Sequence, residues 1–146
     1  MDRGLAVVLT ACVGGLIALQ APINSVLGKA VGTWQAATVS FVVGTVALAL
    51  IALLAGGFGD LGEARHLSWY YLIGGLLGAA YVTTVLVTVR SLGAGGVTAA
   101  TIAGQLSMAV VVDQLGILGV AKQPITALRV LGIALLAAGT YLVVRD

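Results

Sequence analysis

The chain has 146 residues, of which 60% are hydrophobic and 8% charged, with seven basic and five acidic side chains and a net charge of +2. Soluble domains carry charge on about a quarter of their residues, so this chain cannot cover a soluble surface, and its charge excludes a disordered chain and a nucleic-acid binder. A single Cys forms no internal disulfide, one Cys and one His exclude the usual zinc clusters, and an all-α integral membrane protein remains.

A crossing helix needs about 20 mostly apolar residues. Five stretches qualify, at about 5–28, 35–54, 69–89, 97–120 and 126–144. They leave only short links, so residues 1–146 read as one transmembrane domain. The runs are continuous in Leu, Ala and Val, whereas barrel strands alternate with period two.

Helix one opens on Leu9-Thr10-Ala11-Cys12, which has the form of a lipoprotein cleavage site. The apolar run before it, Gly4–Leu9, is shorter than a signal h-region, and more membrane helix follows. Cys12 is therefore expected as a small buried helix residue. Further along, Gln20 and Asn24 are four apart and share a helix face. Pro22 between them removes one backbone donor and frees a carbonyl one turn earlier. Two readings stay open: a kinked, cavity-lining segment, or an interfacial helix end close to Lys29.

Helix two offers Gln35, Thr38, Ser40 and Thr45. The loop after it holds Gly56, Gly57, Phe58, Gly59, Asp60, Glu63, Arg65 and His66, and Trp69-Tyr70-Tyr71 starts helix three as an aromatic belt. Within helix three Tyr81, Thr84 and Thr88 share a face, with packing and bonding back to the helix as the default. Gly74 with Gly78, and Gly75 with Ala79, have the small-xxx-small spacing of close helix contacts. Gly132 and Gly139 in helix five are a further small pair. Gly93-Ala94-Gly95-Gly96 reads as a tight turn, since no strand precedes it and no Lys-Ser/Thr follows to cradle a phosphate.

In helix four, Thr98, Thr101, Gln105 and Asp113 fall within an arc of about 120° at 100° per residue. Asp113 is the only acid inside a span. A carboxylate at a helix centre costs about 2.5–3.5 kcal/mol on insertion scales, so a proton or a cation must offset it; Arg90 and Arg129 are the nearest candidates. Asp113 is either a proton- or cation-sensitive group or a structural charge near the wet end. Ala121–Pro124 links to helix five, with Pro124 suited to its start.

With five crossings, Arg3, Arg65, Lys122 and Arg129 lie on one side, and Lys29, Arg90 and Arg145 on the other. Four against three leaves the positive-inside rule nearly without a vote: either one orientation wins by a small margin, or the chain inserts both ways and pairs as an antiparallel homodimer, and the flat count favours the second.

With these residues in place, the chain resembles the YdcZ-like family of small bacterial membrane proteins in the drug/metabolite transporter superfamily. The stretches that carry the resemblance are Gln20-Ala21-Pro22-Ile23-Asn24-Ser25 with Leu27-Gly28, Ser40-Phe41 with Gly44-Thr45, the run from Trp69 to Gly78, and Gly104-Gln105 followed by Asp113 and Gly116. They span nearly the whole chain. After the Asp the family has His-Phe, where this chain has Gln114-Leu115. The resemblance implies five helices per subunit, a multi-pass protein of the bacterial inner membrane, and members that are single dual-topology proteins or paired or fused chains. Small multidrug exporters of the superfamily use a Glu in their first helix; helix one here has no acid in its span, so that residue does not carry over.

The expected function is transport of a small solute by alternating access in an antiparallel homodimer. Gln20, Asn24, Gln105 and Asp113 are the expected solute contacts in one cavity, with Asp113 the candidate for proton coupling. The expected partners are the lipid bilayer, a second copy and the solute. No nucleophile–base pair, paired acids or metal-ligand spacing stands out, so neither an enzyme nor a cofactor is expected. The rival is a non-transporting membrane scaffold or regulatory subunit, and a channel is a further alternative.

Overall fold

The computed structural model describes residues 2–145, with Asp60 described by its backbone only. The described residues hold helices and turns, with no strand. Helix α1 spans Arg3–Val31, α2 Thr33–Leu54, α3 Gly74–Leu115 and α4 Ala127–Arg145. Between α2 and α3 lie two short 3₁₀ segments, Gly59–His66 and Trp69–Leu72. Among the described residues, four stretches are long and apolar enough to cross a membrane: Arg3–Val31, Thr33–Leu54, Trp69–Leu115 and Ala127–Arg145. The Trp69–Tyr71 belt thus lies in a 3₁₀ turn ahead of α3 and not in its first α-helical turn.

The expected helices 69–89 and 97–120 correspond to two helical stretches of α3, 74–92 and 94–115, which meet at a kink where one residue leaves helical geometry. That residue is Gly93, at φ 68 and ψ 171. This region of backbone space is essentially restricted to glycine, and another residue there is strained by about 1–3 kcal/mol. The expected four-residue turn at Gly93–Gly96 is therefore one residue long. Gly95 and Gly96 are helical, and of the two only Gly96 is tightly packed, its Cβ position lying 3.2 Å from Leu92. A Cβ on Gly95 would lie 3.9 Å from Val143, and one on Gly96 3.4 Å from Val144. The helix stops at Leu115 and not at Val120 because Gly116 takes φ 63. Its N–H caps the carbonyl of Val112 at 2.9 Å, the usual left-handed helix ending. Pro124 does not start the last helix: α4 begins at Ala127, where Thr126 Oγ1 accepts from the Arg129 N–H at 3.3 Å.

The chain divides into two compact units, Met1–Arg90 and Ser91–Asp146. In the first, Gly32 alone turns α1 back along α2, and the two pack as an antiparallel pair. Gly28 makes the close approach to both neighbours: a Cβ there would lie 3.0 Å from Leu86, 3.3 Å from the Arg90 guanidinium and 3.7 Å from Ala36. The core of this unit is Ala36, Ala37, Val82 and Leu86, with Leu27 and Tyr81 packed against it. Gly78 lies against Phe41, where a Cβ would be 3.3 Å from the ring; Gly74 and Gly75 face open space. Of the two expected small-xxx-small pairs, Gly78 alone among the glycines meets a neighbouring helix within this chain. Cys12 is exposed on α1 and not buried. Nearly all residues in the first half of α1 are exposed, so a small residue there gains no cover.

In the second unit, α4 packs against the 94–115 stretch of α3. Thr140 Oγ1 donates to the Ala99 carbonyl at 3.1 Å as well as to its own helix at Leu136. Gly132 and Gly139 face open space.

Candidate functional site

In the first unit, the polar residues of α1 gather on Ser40 of α2. Asn24 is 7% exposed. Its Nδ2 donates to Ser40 Oγ at 3.1 Å. A buried amide in a membrane helix needs such a partner, because lipid offers none. Gln20, one turn earlier, lines a cavity of about 210 Å³ with Ser40, Phe41, Gly44, Thr45, Leu48 and Val82. The shared face read from the four-residue spacing thus meets one partner residue. Pro22 sits inside α1, which runs on as one helix; its missing N–H leaves the Ala18 carbonyl without a helical donor.

Phe41 and Thr45 also belong to a second, larger space. A groove of about 710 Å³ runs between α2 and the 74–92 stretch of α3. Trp34, Thr38, Phe41 and Thr45 line it from α2, and Ala79, Ala80, Thr83 and Thr84 from α3. Phe41 and Thr45 thus line both the amide-lined cavity and the groove, and the Phe41 ring rests on Gly78. The hydroxyls of Thr38 and Thr84 donate back to the carbonyls of Trp34 and Ala80, at 2.9 and 2.8 Å. Thr88 likewise donates to the Thr84 carbonyl at 3.0 Å, the default expected for helix three.

In the second unit, Thr98, Thr101, Gln105 and Asp113 all lie on the uninterrupted 94–115 stretch, so their 120° arc holds. Gln105 is exposed and the other three are half-buried. Asp113 is ion-paired: Arg129 Nη1 stands 3.1 Å from Asp113 Oδ2, with side chains 30% and 27% exposed. Of the two arginines considered as partners, Arg129 is the one that makes the pair. The second Arg129 nitrogen donates to Gln123 Oε1. The Gln123 N–H returns to the Asp113 carbonyl at 2.8 Å, and the Ile125 N–H donates to Gln114 Oε1 at 2.7 Å. Asp113 and Gln114 therefore tie down the whole link to α4. The Gln114 amide oxygen thus holds the link. Among the described residues no His, Cys, Asp or Glu cluster could hold a metal ion.

Gln20 and Asn24 thus belong to the first unit, and Gln105 and Asp113 to the second. The groove was not legible from helix two or three alone, since its threonines read as packing residues. Trp34 was the one signal for it, a bulky aromatic in the turn between spans.

These features can be set against known proteins. The family model described as "Putative inner membrane exporter, YdcZ" matches residues 5–142. The chain belongs to the YdcZ family. It is accordingly an inner-membrane protein, and the family's description is that of a membrane transporter. No curated protein and no solved structure matches the chain.

Proposed function

We propose that this YdcZ-family chain exports a small solute by alternating access, as an antiparallel homodimer with five crossings per subunit. The five-crossing count takes α3 as two spans, one on each side of Gly93. At 1.5 Å per residue, 74–92 and 94–115 are about 28 and 33 Å long, each matched to a hydrocarbon core of about 30 Å. Two orientations are supported by the four-to-three division of basic residues.

The observation that carries the transport reading is the cavity that Gln20 and Ser40 line, which shares Phe41 and Thr45 with an adjoining groove. Gln20 and Asn24 contact the solute. Gln105 and Asp113 are the contribution of the second unit, Gln105 through its exposed amide and Asp113 through its pair with Arg129. A proton on the Asp113 carboxylate would release Arg129, which is how coupling would enter.

Flux from proteoliposomes tests the site. With a panel of small aromatic solutes of each charge, Gln20→Leu and Asn24→Leu are each expected to slow export about tenfold, the worth of one hydrogen bond to substrate. Rates equal to the unaltered protein would refute the site. Orientation has its own readout. A cysteine introduced at Glu63, in a Cys12→Ala background, is expected to label from both faces of the membrane in comparable amounts. Labelling from one face only would end the dual-topology reading.

A further inference from the structure

The 710 Å³ groove has the size of a small-molecule site, and its lining is specific in what it lacks. Aspartate, glutamate, lysine and arginine are absent from both its wall and that of the smaller cavity that shares Phe41. An ion entering there would shed its water without meeting a counter-charge, and desolvation of an unpaired ion outweighs what an aromatic face returns. What the groove does offer is two rings, Trp34 and Phe41, opposite a low wall of Ala79 and Ala80, which leaves room for a flat body. It also offers hydroxyls. Thr38 and Thr84 have committed their protons to the backbone and present acceptor lone pairs. Thr45 and Thr83 line the same space and add hydroxyls not bonded back in this way. An acyl chain would engage the rings and leave those hydroxyls unmatched.

We propose that the groove between α2 and the 74–92 stretch of α3 binds an uncharged, flat amphipathic solute, its ring against Trp34 and Phe41 and its polar end on Thr45 and Thr83. This rests on the transport reading for its physiological role, while the binding itself stands apart from flux.

Trp34 reports on the groove. In a Trp69→Phe background, Trp34 is the sole tryptophan. The protein in lipid nanodiscs is titrated with three probes on one scaffold: phenylbutanamide, phenylbutylamine and phenylbutanoate. The amide is expected to change Trp34 emission saturably, binding at least about tenfold more tightly than the amine or the acid. Ala80→Leu, which fills the groove from an exposed position, is expected to abolish the saturable change. Equal or tighter binding of a charged probe overturns the ligand class. A change that only follows partition into lipid, or one that survives Ala80→Leu, overturns the site and assigns the groove to lipid. Saturable amide binding by a protein that moves no solute in proteoliposomes would refute the transport reading and leave this site standing.

Discussion

Truncation of Leu86 to Ala is expected to lower stability by about 2 kcal/mol, measured as the shift of the unfolding midpoint in mixed micelles. Leu86 is 0% exposed and lies against Gly28, Ala36 and Val82 at the meeting point of three helices. In soluble proteins a Leu→Ala change in a core costs about 2–5 kcal/mol, as a water-transfer part plus a cavity part. Here the separated helices expose their side chains to acyl chains, so the transfer part is largely absent. The cavity part remains, because the helices cannot close around a missing isobutyl group without moving Gly28. The control is Leu128→Ala on α4, a residue 79% exposed, for which no more than about 0.5 kcal/mol is expected. A Leu86 variant that melts with the control would show that these helices are not held by this contact. A loss near 5 kcal/mol would show that water, and not lipid, solvates the separated state.

The same physics explains what could be read from the sequence. The spans were legible because about 20 apolar residues in a row have few other uses. The predicted ends of the first two and of the last lie within a few residues of α1, α2 and α4. The face of each span was not legible. Leu86 and its exposed neighbour Val87 are chemically alike, and in lipid both sides of a helix are apolar, so hydrophobic periodicity carries no information about contact. Glycine was ambiguous for a different reason. In the 93–96 run, Gly93 serves a positive φ, while Gly96 serves close approach to Leu92 and Val144; composition does not separate the two uses.

Polar residues were the exception, since each needs a partner. Asn24 was legible as a residue with a requirement, and Ser40 meets it. Asp113 was legible in the same way, but its partner was not. Arg129 lies 16 residues on, across a link whose path depends on Gly116, Gly119 and the non-glycine Leu118, all at positive φ. No local spacing rule reaches across such a link.

Asp113→Asn separates the two roles open to that residue. The substitution keeps the shape and the Gln123-to-Asp113 backbone bond, removes the negative charge, and leaves Arg129 with Gln123 as its partner. Loss of a charge-assisted bond between groups about 30% exposed is expected to cost about 1–2 kcal/mol, between the values for surface and buried pairs. Flux gives the second axis. If opening of the Asp113–Arg129 pair is the proton-driven step, the variant is fixed in the released state, and export loses its dependence on pH. If the pair only fastens the link, the variant melts earlier and its pH profile keeps the parent shape. A double-mutant cycle with Arg129→Gln then assigns the energy. Coupling of at least about 1 kcal/mol between the two sites is expected for a direct pair. Additivity would mean that Asp113 and Arg129 contribute separately, and the released-arginine mechanism would fall with it.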